Sequence, residues 1–161
     1  MRKDYFGKIT MQTIKIPAAC PCGGASYAAC CGPFIGGAAI PGSAEQLMRS
    51  RYTAYTLSNE AYLRATWHPS TCPPETILGD DEKTKWLGLE IKSALRLRQR
   101  NEAGSAGGPG QDSVEFVARY KLGGRAHRLH EVSRFVREDA GDGPRWFYLD
   151  GSFPGRSSGN A

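Results

Sequence analysis

Four of the five cysteines fall within residues 20–31, as Cys20-Pro-Cys22, then seven residues, then the adjacent pair Cys30-Cys31. The stretch between the pairs, Gly23-Gly24-Ala25-Ser26-Tyr27-Ala28-Ala29, is short, uncharged and flexible at its start. It can fold back and bring both pairs to one point. Four thiolates at one point are what a tetrahedral Zn²⁺ requires, with Zn–S near ~2.3 Å and no open position in a structural site. Two disulfides fit poorly, because Cys-x-Cys and Cys-Cys close small, strained rings. A redox-active dithiol fits poorly too, since it prefers Cys-x-x-Cys beside a helix. The spacing therefore favours a structural zinc held by Cys20, Cys22, Cys30 and Cys31.

The rest of the composition sets bounds. At 161 residues the chain has room for one ordinary domain with a real core, plus a small appendage. The formal charge of +5 counts the cysteines as neutral. Zinc with four thiolates adds about −2, leaving about +3. That is too weak to argue for nucleic acid by itself. No apolar run approaches the ~18 residues of a membrane span, and the first residues, MRKDYFGK, lead into no apolar signal core. Free cysteines without such a signal point to a reducing, cytoplasmic setting.

Four segments follow from the pattern: a tail or single edge strand over 1–16, the zinc knuckle over 17–37, a main domain over 43–153 and a tail over 154–161. Tyr27, Phe34 and Ile35 are the apolar groups available to cover and dock the knuckle, and Pro41-Gly42 punctuates the boundary. Ser43 then caps a helix over 44–57, with Gln46 placed to return the bond. Helical spacing puts Ala44, Leu47, Met48, Tyr52, Ala54 and Tyr55 on one broad side, and Glu45, Gln46, Arg49, Thr53 and Thr56 on the other. A second helix is expected over 59–67, capped by Ser58 or Asn59 and ended by Pro69. Residues 73–83 are turn-rich, with room for one short helix.

From Trp86 the period changes to two. Leu87, Leu89, Ile91, Ser93, Leu95 and Leu97 share one phase, a strand of about a dozen residues. Residues 101–113 form a glycine-rich loop, Val114 to Tyr120 alternate again, and Gly123-Gly124 makes a turn. Strands over 126–137 and 145–150 complete a four-stranded meander. Helices followed by long antiparallel strands make an α+β fold, with the sheet wrapped around the helices.

Two places break the apolar pattern. Arg51 falls in the apolar stripe of the first helix, where a buried guanidinium needs a carboxylate or carbonyl partner. On the strand AHRLHEVSRFVRE, one face shows Leu129, Glu131, Ser133 and Phe135. If that face points inward, Glu131 and Ser133 are interior polar groups and Glu131 is a natural partner for Arg51. The pair is either a structural ion pair or part of a ligand cavity. A His130–Glu131 dyad is disfavoured, because successive strand residues face opposite sides. His68, after Trp67, is either a helix-end histidine or a member of a site at the cavity mouth. Cys72 carries no pattern. Lys92, Arg96, Arg98 and Arg100 share the outer face of the long strand, as a solvated face or a phosphate-contacting stripe.

These blocks together resemble known families. Cys20-x-Cys22-x₇-Cys30-Cys31 followed by Gly32-Pro33-Phe34 resembles the SEC-C motif, a zinc knuckle also found at the C-terminus of the bacterial preprotein translocase ATPase. Gly-Gly-Ala-Ser stands here where that motif is richer in Gly-Ser-Gly-Lys, so lysines used there for partner contacts are absent while the ligands are intact. LMRSRYTAY (47–55), YLRATWHPS (62–70), WLGLEI (86–91), VEFVARY (114–120), LHEVSRFVRE (129–138) and RWFYLDG (145–151) resemble the YchJ family. That resemblance implies a nuclear-transport-factor-2-like cone, with helices against a curved antiparallel sheet around a cavity. It brings no activity with it, because fold alone does not fix function.

Three functions are in play, ranked in the order given, with the second close behind the first. The knuckle can be a docking surface for a protein or ribosomal partner, since its closed coordination argues against chemistry at the metal. The cone can bind a small molecule or act as an enzyme through Arg51, Tyr55, Trp67, His68, Glu131 and Ser133, with Arg51 anchoring an anion and Glu131 as base. Nucleic-acid binding through the arginine stripe ranks last.

Overall fold

The computed structural model describes residues 15–79, 84–92 and 110–155. In the knuckle, a single turn α1 (Gly32–Ile35) follows the second cysteine pair, with Cys31 at its N-cap. Pro33 sits in that first turn, where its missing N–H leaves no helical bond unmade. This turn is additional to the two helices expected from the sequence.

Ser43 opens the main domain. Its backbone is extended (φ −143°, ψ 159°) and its hydroxyl accepts the Gln46 amide at 3.2 Å. The Gln46 side chain returns the bond one residue further out, accepting from Gly42 N at 2.8 Å. The helix so started, α2 (Ala44–Thr56), buries Ala44, Leu47, Met48, Ser50, Arg51, Tyr52, Thr53 and Ala54. Those residues occupy more than one face, because α2 is covered by the sheet on one side and by the knuckle on another.

Asn59 caps α3 (Glu60–Ala65), its Oδ1 accepting Tyr62 N at 3.0 Å. The helix stops short of the expected residue 67 for a visible reason. His68 N donates to Tyr148 O at 2.8 Å and Tyr148 N donates to Thr66 O at 2.9 Å, so the main chain leaves the helix to bridge the last strand. Residues 73–79 are bends and irregular backbone, and 80–83, the rest of the segment with room for a short helix, lie outside the described residues.

Four strands follow: β1 (Thr84–Ile91), β2 (Gln111–Leu122), β3 (Arg125–Asp139) and β4 (Pro144–Ser152). They pair antiparallel in the order β1-β2-β3-β4, the expected meander. Gly123 and Gly124, at φ 57° and 81°, supply the two positive-φ positions that a tight two-residue hairpin demands. The expected continuation of β1 through Ser93, Leu95 and Leu97, the stripe of Arg96, Arg98 and Arg100, and most of the glycine-rich loop lie outside the described residues.

One strand phase is corrected. The register shifts between Trp86 and Gly88, so Leu87 is the extra residue of a bulge and stands 47% exposed rather than inward. Trp86 turns inward instead and meets Tyr52 and Tyr120, with centroids 5.6 and 5.4 Å apart. A one-residue insertion flips side chains to the opposite face, which simple alternation cannot anticipate. On β3 the alternation holds: Glu131, Ser133 and Phe135 are buried and Leu129 is half-buried. Among the described residues, Phe135, Leu47, Leu63 and Val117 are the largest fully buried apolar side chains. Each contributes about 1.5–3 kcal/mol of burial.

Candidate functional site

The cysteine sulfurs form a cage. Cys22 Sγ lies 3.5 Å from Cys20 Sγ, 3.5 Å from Cys30 Sγ and 3.7 Å from Cys31 Sγ, and Cys30 and Cys31 are 3.9 Å apart. All four lie within 4.8 Å of one another. Four sulfurs held tetrahedrally at ~2.3 Å from an ion have edges of about 3.8 Å. A disulfide needs about 2.05 Å. The cluster thus has the dimensions of a four-thiolate cage and can hold a metal ion. Cys22 is pushed down to about 4, chiefly by the hydrogen bond from Cys31. Cys30 is raised to about 11, chiefly by burial, and Cys31 is raised as its proton bonds Cys22. Gly24 permits the close packing, since a Cβ there would stand 2.7 Å from Cys30 Sγ.

Helix α2 supplies the cage's outer support. Arg49 Nη1 donates to Cys22 O at 3.1 Å, while Arg49 Nη2 meets Glu45 Oε1 at 3.3 Å. Thr53 is fully buried, with Oγ1 at 3.8 Å from Cys20 Sγ and a further hydrogen bond to Cys31. Both residues were expected on the solvent side of the helix. They serve instead as the platform on which the knuckle sits, because a segment this small has no core to rest on. Tyr27, Cys30 and Ile35 pack against the same core as α2. The spacing of Arg49 and Thr53, four residues apart on one face, is the signal that could have revealed the platform.

On its other side, α2 faces a cavity of about 220 Å³ closed by the sheet. Arg51, Tyr55, Glu131 and Ser133 all line it, together with Tyr148 and apolar walls that include Met48, Tyr52, Trp86, Phe116 and Phe135. Tyr55 and Trp86 also line an outer groove of about 420 Å³ bounded by Ile77, Leu78 and Gly79. Arg51 is only 4% exposed. Its Nη1 donates to Leu63 O and to Thr66 Oγ1, each at 2.7 Å. The guanidinium stacks over the rings of Trp67 and Tyr148, at 5.2 and 4.6 Å. Burial lowers its proton affinity, opposed by the neighbouring phenols and, less strongly, by Glu131.

Glu131 stands across the cavity. Its Oε1 accepts from Ser133 Oγ at 3.1 Å and from Tyr148 Oη at 3.0 Å. The expected Arg51–Glu131 ion pair does not form: no nitrogen of Arg51 lies within 4.0 Å of a Glu131 oxygen. The guanidinium takes a main-chain carbonyl and a threonine instead, both of which α3 presents nearer to it. Tyr148 and Tyr55 are raised mainly by burial; Glu131 adds to both, while Arg51 pulls them down.

The remaining candidates lie elsewhere. Trp67 sits behind Arg51 and off the cavity lining, its Nε1 without an acceptor among the described residues. His68 bonds Ser70 Oγ at 2.6 Å and Glu138 Oε2 at 2.9 Å, away from the cavity. His130 pairs with Glu115 at 2.8 Å rather than with Glu131. Cys72 Sγ meets Arg64 Nη1 at 3.6 Å. Tyr148, Trp86 and Tyr52 were missed as lining residues. Tyr148 shares the inward phase of β4 with Trp146, while Trp86 depends on the bulge.

Residues 43–151 match the family described as YchJ, middle NTF2-like domain. The chain belongs to the YchJ family. A UPF0225 protein of Ralstonia nicotianae is 58% identical over 140 residues, covering 83% of this chain and 90% of the relative. One from Cupriavidus metallidurans is 54% identical over 137 residues, covering 84% and 89%. Among solved structures, a SEC-C motif containing protein from Rhodopseudomonas palustris matches with TM-score 0.62 at 30% identity, covering 83% of this chain and 97% of that one. A second such protein, from Psychrobacter arcticus, matches with TM-score 0.66 at 26% identity, covering 91% and 86%. The YchJ-type cone therefore carries a cysteine cluster of SEC-C type at its N-terminal side. Among the described residues, no helix is long and apolar enough to cross a membrane.

Proposed function

We propose that the protein binds a small molecule in the cavity between α2 and the sheet, and that the cysteine cluster holds a structural Zn²⁺. The metal part is supported by the four-sulfur cage and the likeness to SEC-C proteins. Cys20, Cys22, Cys30 and Cys31 would fill all four positions, so the ion contributes folding free energy to the knuckle and offers no site for substrate.

The observation that carries the ligand site is Arg51. A guanidinium this deeply buried, without a carboxylate partner, is expensive unless something else uses its charge. It lines a cavity that also presents Glu131, Ser133 and three tyrosines, Tyr52, Tyr55 and Tyr148, among apolar walls, the usual make-up of a small-molecule site. A fragment screen by NMR on the zinc-loaded chain tests this. Hits should shift the Trp86 indole and vanish in the cavity-filling Ala118→Leu variant, whose fold is checked by circular dichroism. No shift at cavity residues from any fragment would oppose the proposal.

A protein or ribosomal partner on the knuckle is the second candidate function. Ile16 and Ile40, 71% and 48% exposed, flank the knuckle and favour it. Affinity purification comparing wild type with an Ile16→Asp/Ile40→Asp variant tests it, and identical partner lists would count against it.

A further inference from the structure

The charges in the cavity narrow the chemistry of what it holds. Arg51 Nη1 is occupied by Leu63 O and Thr66 Oγ1, and the rings of Trp67 and Tyr148 fix the guanidinium plane. Its remaining donors are left to Tyr55, which hydrogen-bonds the guanidinium, and to the cavity that Arg51 lines. A guanidinium with two adjacent donors to spare grips a planar carboxylate through two parallel bonds.

Glu131 sets a second condition. An ionised carboxylate accepts at about four lone-pair positions. Ser133 and Tyr148 fill two of them, both on Oε1. A plain anion entering beside Arg51 would still meet the negative charge of Glu131. A ligand that also carries a hydroxyl or amine satisfies Glu131 and converts that repulsion into a hydrogen bond. A phosphate ester, with its second charge, would press harder on Glu131.

Volume sets the third. An apolar cavity of about 150 Å³ takes a benzene molecule. The 220 Å³ here therefore admits one substituted ring or a short chain of similar bulk. Tyr52, Trp86, Phe116 and Phe135 offer it apolar and aromatic walls.

We propose that the ligand is a small carboxylic acid with a hydrogen-bond donor at its far end, its carboxylate on Arg51 and its donor on Glu131. This assignment rests on the cavity being a ligand site.

Titration of the zinc-loaded full chain with three probes tests it, followed by the Trp86 indole resonance and by calorimetry. The probes are 4-hydroxybenzoate, benzoate and 4-hydroxybenzamide. The assignment predicts that 4-hydroxybenzoate binds at least about tenfold tighter than either of the others. In Arg51→Gln the advantage of acid over amide disappears. In Glu131→Gln the gap between 4-hydroxybenzoate and benzoate narrows, because the repulsion is gone. The wild-type comparison needs no variant, so it stands even if Arg51→Gln does not fold. Amide binding as tight as acid overturns the assignment while leaving the cavity as a ligand site. Cavity hits in the fragment screen with no binding of any of the three probes do the same. Silence in both experiments removes the ligand site itself.

Discussion

Arg51 and Glu131 face one cavity and do not touch. Each is held by neutral partners instead: Arg51 by Leu63 O and Thr66 Oγ1, Glu131 by Ser133 and Tyr148. The carboxylate is therefore replaceable as long as its hydroxyl donors keep an acceptor. Glu131→Gln should change stability by less than about 1 kcal/mol, whereas Glu131→Leu leaves the buried Ser133 hydroxyl and the half-buried Tyr148 hydroxyl without their acceptor and should cost about 2–4 kcal/mol. Urea denaturation separates the two. Equal losses would show that charge, not hydrogen bonding, matters at this position.

The knuckle depends on α2. Thr53 Oγ1 is the hydroxyl beside Cys20 and Cys31, and it is fully buried. Thr53→Val keeps the volume but removes that donor. It should weaken metal binding by about tenfold or more, as for other outer-sphere partners, and cost about 1–2 kcal/mol of stability. Competition with a chromogenic chelator reads the first number and thermal denaturation the second.

Much of this was legible in the chain. The cysteine spacing gave the cage, because only four positions are involved and each is chemically distinctive. The period-two run of β3 placed Glu131 and Ser133 inward, since one face of a sheet must be buried. Ser43 announced the start of α2. What escaped depended on contacts between distant segments. Arg49 and Thr53 look like a solvated face until the knuckle lands on them. Leu87 looks inward until the bulge opposite Tyr120 and Arg119 reverses the phase. Arg51 pairs with α3 because Thr66 and Leu63 happen to lie closer than β3, a distance that no local pattern encodes.

Metal removal should act locally first. The segment 17–37 lacks a core of its own, so chelation should abolish exchange protection of the Cys20, Tyr27, Cys30 and Gly32 amides, which bond only within the knuckle. The β2–β3 ladder should stay protected. Acid should have the same effect, because the thiols must lose their protons to bind metal and lowering the pH returns them. Hydrogen exchange with mass spectrometry reads both. Unchanged protection in the knuckle after complete chelation would contradict a structural role for the ion.

Two glycines test the two sites separately. A Cβ on Gly151 would overlap Glu131 Oε1, and one on Gly24 would stand 2.7 Å from Cys30 Sγ. Gly151→Ala should push Glu131 off its donors, cost about 1–3 kcal/mol and weaken 4-hydroxybenzoate while leaving metal content unchanged. Gly24→Ala should lower metal content and spare the cavity. Elemental analysis alongside ligand titration checks the separation, and a common loss in both variants would show that the sites are not independent.

On the proposed function, Arg51 is kept free of Glu131 so that a ligand can use it. A high-resolution crystal structure of the zinc-loaded chain measures this directly. The predicted result is a guanidinium and a carboxylate more than 4.0 Å apart, with ordered water or solute between them. A direct Arg51–Glu131 ion pair closing the cavity would contradict it.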